Sequence, residues 1–420
     1  MKYSAFDMTM LGDVNQKAAR IDLFCRKIVL KRLSRLEAGA VTLRDHHEKH
    51  LFGNYSDDFP LSATVRVFKP RFYARIAMGG VIGAAESYMD GDWATDDLPG
   101  LCRILARNGA TLSAMDKRMS ALKAPLLRLY HGLNKNSRGG SRRNIAAHYD
   151  LGNEFFKTFL DDTMAYSSGY FESDGDSLAQ ASINKFDRLC EKLQLNKSDH
   201  LLEIGSGWGG FACHAAKKYG CRVTTVTISR EQLAVTRQRI VDENVGHLVT
   251  AKFCDYRDIT GTYSKIASIE MIEAVGHQYY PTFFKQCMRL LREDGLLGLQ
   301  AITIRDQQYN FARQNVDFIK RYIFPGGCLP SHTTLCHVTP RHTDFSLTRV
   351  DDMTPHYART LAIWRERFLE NEHRVAGLGY SEGFRRMWNF YLCYCQAGFE
   401  EHLTGVSQLV YARPGYRARL

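Results

Sequence analysis

The chain has 420 residues, of which 45% are apolar and 24% are charged. This length exceeds what one compact core usually fills and the composition excludes a disordered chain, so we expect one large and one smaller globular domain. The formal net charge of +11 predicts an anionic partner, for which nucleic acid and an anionic membrane surface are the two candidates.

Several features that would place the chain in other protein classes are missing from the sequence. No apolar run approaches the roughly 18 residues of a membrane-spanning helix, and an acid follows the first six residues, so no secretory signal is predicted. The eleven cysteines form no CxxC pair, so we expect neither a zinc site nor a disulfide framework. These features predict a cytoplasmic protein without a bound metal.

Residues 1–133 are predicted to form a small domain of mixed helix and strand. A helical pattern covers Ala18 to Leu36, and the alternating run from Ala63 to Phe68 is typical of a strand. Turn-forming and charged residues at 134–144 make this segment the best linker candidate. The remaining residues, 145–420, are then predicted to form the second domain.

Ten basic residues and one acid lie between Arg103 and Arg143. Leucines and methionines accompany them at alternating spacings of three and four, the pattern of an amphipathic helix with a basic face, which Pro125 is expected to kink or split. A helix packed on its own domain and a helix on a lipid surface both fit this pattern. We expect a membrane-facing segment rather than an arm that binds nucleic acid.

From about residue 180, apolar runs of strand length alternate with amphipathic runs of helix length. The strand-like runs are Leu201–Ile204, Val223–Ile228, Val249–Phe253, Ile266–Ile269 and Leu296–Ile304, and the helix-like runs between them include residues 211–219, 231–242 and 280–291. This alternation predicts an α/β fold with a doubly wound parallel sheet. Ligand sites in such sheets lie at the carboxyl ends of the strands.

A glycine-rich loop, Glu203 to Gly210, follows the first of these strands and opens a helix. Its G-x-G-x-x-G pattern alone does not choose between cofactors. A dinucleotide site normally has an acid at the end of the second strand, but that strand ends at Ser229 without one. A carboxylate at Glu203, and a polar and aromatic cluster that contains Asp255 and Tyr256, instead suit the amino end and the adenine of S-adenosylmethionine.

Six segments of the chain, in this order along the sequence, carry a family resemblance. They are residues 147–153, 164–170, 203–210, 226–229 with Gln232, 255–258 and 322–331. From about 145 to 415 the chain resembles the cyclopropane-fatty-acid synthases and the related mycolic acid cyclopropane synthases. The resemblance implies a class I methyltransferase fold with a seven-stranded sheet, and a homodimer that associates with the inner face of the membrane.

The activity that this resemblance implies is transfer of the sulfonium methyl group to a cis double bond of an acyl chain in a membrane phospholipid. A bound bicarbonate then takes a proton from the new methyl group, and a cyclopropane ring closes. The implied S-adenosylmethionine site comprises Tyr166, Ser167, Gly205, Gly207, Thr227, Ile228, Gln232 and Tyr256. The implied bicarbonate site comprises Glu273, the backbone amides of Ser168 and Ile302, the hydroxyl of Tyr357, and Gln300, where many bacterial members have histidine.

Three alternatives stay open at this point. Gln300 and Ala274 stand where histidines are usual in the family, which leaves room for a methyl-branched, methylene or oxygenated product of the same methyl transfer. A nucleic-acid methyltransferase is disfavoured because residues 270–273, after the fourth strand, lack the loops that such enzymes use. A lipid-surface binding protein without catalysis is disfavoured by the intact glycine loop and by Glu273.

Overall fold

The computed structural model describes residues 21–113 and 151–417, and these residues form two compact units. One unit contains residues 21–113 and 379–397, and the other contains residues 151–378 and 398–417. The predicted linker at 134–144 and the basic segment beyond residue 113 lie outside the described residues. The linker and the boundaries drawn from it therefore stay predictions.

The first unit is built on a four-stranded sheet with the order β2-β1-β3-β4, in which β1 and β3 run parallel and the other pairs run antiparallel. Its elements are helix α1 (21–33), β1 (Gly39–Arg44), β2 (Lys49–Asn54), β3 (Ser62–Val67), α2 (Arg71–Met89), β4 (Trp93–Thr95), α3 (Leu98–Arg107) and α4 (Gly109–Ser113). The predicted strand at 63–68 is confirmed as β3. The mixture of helix and strand also agrees with the prediction.

The second unit contains the alternation of strands and helices that the sequence predicted. Its elements are α5 (Asn153–Phe156), α6 (Leu178–Lys192), β5 (His200–Ile204), α7 (Gly210–Tyr219), β6 (Arg222–Thr227), α8 (Arg230–Asp242), β7 (Val249–Phe253), β8 (Tyr263–Ile269), α9 (Tyr280–Leu290), β9 (Leu291–Ile304), α10 (Asp306–Gln314), α11 (Phe318–Tyr322), α12 (His332–His342), β10 (Ser346–Asp352), α13 (Thr354–Glu370), α14 (Glu372–Gly377) and β11 (Thr404–Ala412). Short 3-10 turns at Tyr256–Asp258, Ile272–Ala274 and His277–Tyr279 complete it.

The sheet of the second unit has seven strands in the order β10-β11-β9-β8-β5-β6-β7. Strands β5 to β9 are parallel, and β11 is antiparallel to both of its neighbours. The chain winds outward in both directions from β5, so β5 and β8 mark the switch point where such sheets bind their ligands. The predicted α/β fold with seven strands is confirmed.

Two apolar clusters cover the sheet of the second unit. Leu201 belongs to one cluster, which includes Phe211 on α7, whereas its neighbour Leu202 belongs to the other, which includes Phe283 on α9. Since neighbouring residues of a strand point to opposite faces, helices cover both faces and leave the strand ends for the site. Among the described helices, we find none that combines the length and the apolar character needed to cross a bilayer.

Residues 379–397, which the sequence assigned to the second domain, group with the first unit. They include most of helix α15 (Glu382–Glu400). The guanidinium of Arg386 donates to the backbone carbonyls of Tyr88 and Trp93, and the ring of Phe390 lies 6.0 Å from that of Tyr88. A division at a single linker could not predict this, because the contacts join residues about 300 positions apart.

Candidate functional site

The glycine-rich loop lies at the carboxyl end of β5, where the fold places ligand sites. Gly205, Gly207 and Gly209 have φ values of +97°, +48° and +86°, a region that glycine occupies without strain. A Cβ atom added at Gly209 would lie 2.9 Å from the Cγ2 atom of Thr236, so a side chain there would disturb the loop. The loop then leads directly into α7, which begins at Gly210.

The residues expected to bind the ribose lie beside this loop, at the end of β6. The hydroxyl of Thr227 donates to Oε1 of Gln232 over 3.0 Å, and the hydroxyl of Ser229 caps α8 by accepting from the backbone amide of Gln232. Because its oxygen faces Thr227, the amide of Gln232 has its NH2 group available for a different partner. Ile228 and Gly207, also expected in this site, are partly accessible to solvent.

The cluster expected to hold the adenine lies after β7. Asp255 is 3% exposed and accepts two hydrogen bonds from the guanidinium of Arg257, at 2.8 and 2.6 Å. The hydroxyl of Tyr256 is buried and has no hydrogen-bond partner among the described residues. A buried polar atom without a partner is rare, so this hydroxyl fits a bond to a ligand, whereas Asp255 serves to hold the turn.

Two further residues of the expected cofactor site, Tyr166 and Ser167, lie in the segment before α6. The ring of Tyr166 stacks on that of Trp364, with centroids 5.2 Å apart. The hydroxyl of Ser167 accepts a hydrogen bond of 2.6 Å from the ammonium of Lys185 on α6. Together with the glycine loop and the hydroxyl of Tyr256, these groups fit S-adenosylmethionine.

Glu203, expected at the amino end of the cofactor, is almost fully buried. Its carboxyl accepts a hydrogen bond of 2.5 Å from the hydroxyl of Thr225, its partner residue on β6. Burial raises the pKa of Glu203 to about 8. The structure thus gives Glu203 a supporting position under the loop, and its contact with the cofactor stays a prediction.

Lys185 is a buried cation that the sequence did not single out. Its side chain is fully buried, and desolvation lowers its pKa to about 8, while Glu270, Asp161 and Glu203 act in the opposite direction. The one sequence signal for it was a basic residue on the apolar side of α6, where Leu189 also lies. Lys185 supplies positive charge next to the carboxylates at the strand ends.

The residues expected to bind bicarbonate do come together, at the ends of β8 and β9. The backbone amide of Ile302 donates to Oε1 of Glu273, while Oε2 of Glu273 is buried and has no partner among the described residues. The backbone amide of Ser168 donates over 2.9 Å to Oε1 of a second carboxylate, Glu270. Sequence reasoning missed Glu270, which it treated only as part of the loop after β8.

Glu270 also lies against the other two groups of the expected bicarbonate site. The side-chain amide of Gln300 donates to its Oε1 over 2.7 Å, and the hydroxyl of Tyr357 lies close enough to the same carboxyl to lower its pKa. Desolvation raises the pKa of Glu270, although the charge of Lys185 and these hydrogen bonds lower it. Desolvation, and then the charge of Glu270, raise the pKa of Glu273 to about 8.

A chain of buried hydrogen bonds fixes the orientation of Gln300. Its Oε1 atom accepts from the amide of Gln408 on β11 over 3.0 Å, and Oε1 of Gln408 accepts from the ammonium of Lys192 over 2.7 Å. Both glutamines are fully buried. Because the Oε1 atom of Gln300 accepts from Gln408, the NH2 group of Gln300 faces Glu270.

The described part of the chain contains no candidate metal site. In residues 21–113 and 151–417, no group of three or more histidine, cysteine, aspartate or glutamate side chains is placed to hold a metal ion. The cysteines in these ranges are free thiols, and most of them are buried.

Comparison with known proteins gives a consistent set of similarities. Residues 136–409 match a family model described as mycolic acid cyclopropane synthetase. The chain is 37% identical to the tuberculostearic acid methyltransferase of Mycobacterium tuberculosis, over 85% of this chain and 84% of that protein. It is 35% identical to the cyclopropane-fatty-acyl-phospholipid synthase of Escherichia coli, over 84% of this chain and 88% of that protein.

A solved structure is similar as well. A mycolic acid cyclopropane synthase in complex with SAH and CTAB superposes with a TM-score of 0.61 at 32% identity. The match covers 64% of this chain and 98% of that chain.

The raised pKa of Glu203 predicts how the stability of the fold depends on pH. Between about pH 5 and pH 8 the folded chain keeps a proton on Glu203 that the unfolded chain has released, so the free energy of unfolding falls as the pH rises. In the wild type, part of the decrease in the free energy of unfolding between about pH 5.5 and 7.5 comes from Glu203, so we expect Glu203→Gln to make this decrease smaller by about 1–2 kcal/mol. The free energy of unfolding is measured by urea denaturation of both proteins at both pH values.

The control for this measurement is the same substitution at an exposed position, Glu293→Gln, which should leave the fall unchanged. Equal pH dependence of the free energy of unfolding in the wild type and in Glu203→Gln would show that the carboxyl of Glu203 titrates normally in the folded chain.

Proposed function

Because the chain belongs to the mycolic acid cyclopropane synthetase family, we propose that it transfers a methyl group from S-adenosylmethionine to a cis double bond of an acyl chain in a membrane phospholipid. The observation that carries this proposal is the position of the glycine loop after β5 beside the turn after β8 that bears the two carboxyl groups, since a Cβ atom at Gly205 would lie 3.3 Å from the Cγ atom of Met271 in that turn. When bound, S-adenosylmethionine supplies an electrophilic methyl group. The chain itself has to bind the alkene, exclude water and accept a proton.

The choice of a phospholipid as the substrate is supported by one relative. The protein of Escherichia coli that is 35% identical to this chain is a cyclopropane-fatty-acyl-phospholipid synthase. The alignment covers most of both chains, so the similarity is not confined to the residues expected to bind S-adenosylmethionine. We therefore propose an unsaturated acyl chain of a phospholipid, rather than a free fatty acid, for this chain.

An aromatic cluster formed by Phe156, Tyr166, Tyr357 and Trp364 supports a reaction through a carbocation. The rings of Phe156 and Tyr166 lie 5.3 Å apart, and that of Trp364 lies 5.2 Å from Tyr166 and 6.1 Å from Tyr357. Aromatic faces stabilise positive charge and keep water away from it. Since the hydroxyl of Tyr357 reaches Glu270, the cluster and the carboxyl groups belong to one site.

Ring closure needs a base next to this cluster. Addition of the methyl group to one alkene carbon leaves a positive charge on the other, and loss of a proton from the new methyl group closes the cyclopropane. We propose that Glu273, Gln300, Tyr357 and the backbone amides of Ser168 and Ile302 surround that base. The family resemblance implies that the base is bicarbonate, and the donors expected for it lie here.

A second candidate product is favoured by another relative. The protein of Mycobacterium tuberculosis that is 37% identical to this chain is a tuberculostearic acid methyltransferase. Proton loss after migration of the charge would give a methylene group instead of a ring, and a methyl-branched chain would need a reductant in addition. Both candidates share the methyl transfer and differ only in the fate of the cation.

The net charge of +11 and the basic segment from Arg103 to Arg143 support a peripheral position on an anionic membrane surface. An enzyme that acts on acyl chains inside a bilayer has to reach its substrate at that surface. The homodimer implied by the family resemblance stays a prediction.

The methyl transfer is tested by incubating the purified protein with methyl-labelled S-adenosylmethionine and vesicles of a monounsaturated phospholipid. We expect label in the acyl chains, in a product that resists mild hydrogenation as a cyclopropane does, whereas a methylene product takes up hydrogen. Vesicles of the saturated phospholipid are the control and should stay unlabelled. Label on the head group, or no acyl label from a protein that still binds S-adenosylhomocysteine, would contradict the proposal.

The membrane association is tested by sedimentation with vesicles. We expect binding to vesicles that contain phosphatidylglycerol and its loss as salt rises from about 0.05 M to about 0.5 M, because salt screens charges at a surface. A variant with Lys117→Gln, Arg118→Gln and Lys123→Gln should bind more weakly than one with three lysines replaced outside the segment. Equal binding to neutral vesicles at high salt would overturn the electrostatic account.

A further inference from the structure

Glu270 is the first residue after β8 and has an unusual backbone conformation. Its φ of 48° lies in the left-handed region, which disfavours residues with a side chain. Its backbone amide donates to the carbonyl of Gln300 over 2.8 Å, which holds the turn against β9. Residues kept in such conformations cluster at functional sites, because the surrounding structure has to maintain them.

The carboxylate of Glu270 accepts from two of the four donors that the family resemblance assigns to bicarbonate and lies near a third. The backbone amide of Ser168 and the side-chain amide of Gln300 both donate to its Oε1 atom, and the hydroxyl of Tyr357 lies close enough to the same carboxyl to lower its pKa. These three donors come from the segment before α6, from β9 and from α13. A bicarbonate ion could use them only after displacing Glu270.

The charges around the site disfavour a bicarbonate ion in addition to Glu270. Glu273 lies close enough that the charge of Glu270 raises its pKa, and Glu203 and Asp161 also act on the buried ammonium of Lys185. A further anion would add repulsion where water cannot screen it. The site thus already contains the anion for which its donors are arranged.

From this geometry, and on the basis of the function proposed above, we propose that the carboxylate of Glu270 is the base that removes the proton from the transferred methyl group, in place of bicarbonate. One C–H bond of that methyl group breaks, and its electron pair forms the bond that closes the three-membered ring. The proton passes to the carboxylate of Glu270, which becomes neutral. Release of this proton to solvent restores the carboxylate for the next turnover.

Gln300 has a specific part in this account. A histidine can lose its proton, whereas a glutamine amide stays a donor at any pH in the physiological range. Gln408 fixes its orientation, so the NH2 group of Gln300 always faces Glu270. A permanent donor suits a carboxylate that belongs to the chain, and it keeps that carboxylate in one place through the proton transfer.

Glu273 complements Glu270 as a neutral neighbour. Its pKa of about 8 means that the carboxyl of Glu273 is mostly protonated near pH 7. Each residue as a whole is partly buried. Desolvation raises the pKa of Glu270, which makes its carboxylate a stronger base than one in water.

The test compares wild type, Glu270→Gln and Glu270→Gly in the acyl-labelling assay, in buffer freed of carbon dioxide and in the same buffer with sodium bicarbonate. Glycine adopts the backbone conformation at this position without strain and leaves the donors of Ser168, Gln300 and Tyr357 open. Glu293→Gln, at an exposed position, is the matched control. Binding of S-adenosylhomocysteine to each variant verifies that it is folded.

We expect the wild type and Glu293→Gln to form product at the same rate with and without bicarbonate. In buffer without bicarbonate, Glu270→Gln and Glu270→Gly should lose about 100-fold or more in rate, the usual effect of removing a general base. Added bicarbonate should raise the rate of Glu270→Gly by about 10-fold or more, because it can occupy the vacated donors. The same addition should leave Glu270→Gln slow, because the glutamine side chain still fills the space.

The proposal for Glu270 is overturned if the wild type needs added bicarbonate for its rate, or if Glu270→Gln stays within about threefold of the wild type, a change too small for a lost general base. Failure of the function itself gives a different result. In that case the wild type binds S-adenosylhomocysteine but labels no acyl chain in either buffer, and the proposal for Glu270 falls with it.

Discussion

A carboxylate that is largely removed from water has to be matched by polar groups, and groups from three segments of the chain meet at Glu270. The backbone amide of Ser168, the side-chain amide of Gln300 and the hydroxyl of Tyr357 come from distant parts of the chain. The end of β8, the strand β9, the helix α13 and the segment before α6 are thereby tied to one point. The aromatic cluster adjoins that point through Tyr357, and the glycine loop follows the neighbouring strand β5.

The charge balance at this point depends on Lys185. A fully buried ammonium is costly unless anions lie near it, and here Glu270 and Asp161 do so. Glu203 and Glu273, whose pKa values are raised to about 8, keep protons near neutral pH, which prevents an excess of negative charge. The same arrangement that makes Glu270 basic therefore also limits how many further anions the site accepts.

The sequence predicted the second unit well because hydrophobic periodicity and the order of strands and helices are local properties. It also placed Glu273, Gln300, Ser168, Ile302 and Tyr357 in one site, although only through a family resemblance. It missed Glu270 because an acid in a loop after a strand is usually solvated, and no local pattern reveals a partner 102 positions away. The sequence offered one signal for Glu270: this acid lies three residues before Glu273, in a chain that has Gln300 where many family members have histidine.

The sequence also could not predict that residues 379–397 group with the first unit, because contacts between distant segments determine this grouping.

The central claim is that the chain's own carboxylate fills the place of an external anion. The most direct measurement is a crystal structure of the complex with S-adenosylhomocysteine, from crystals grown in the presence of sodium bicarbonate. The account predicts electron density for the carboxylate of Glu270 within hydrogen-bond distance of the amides of Ser168 and Gln300, and no separate anion between them. A separate trigonal ion bonded to the backbone amide of Ser168, with the side chain of Glu270 turned away, would contradict it.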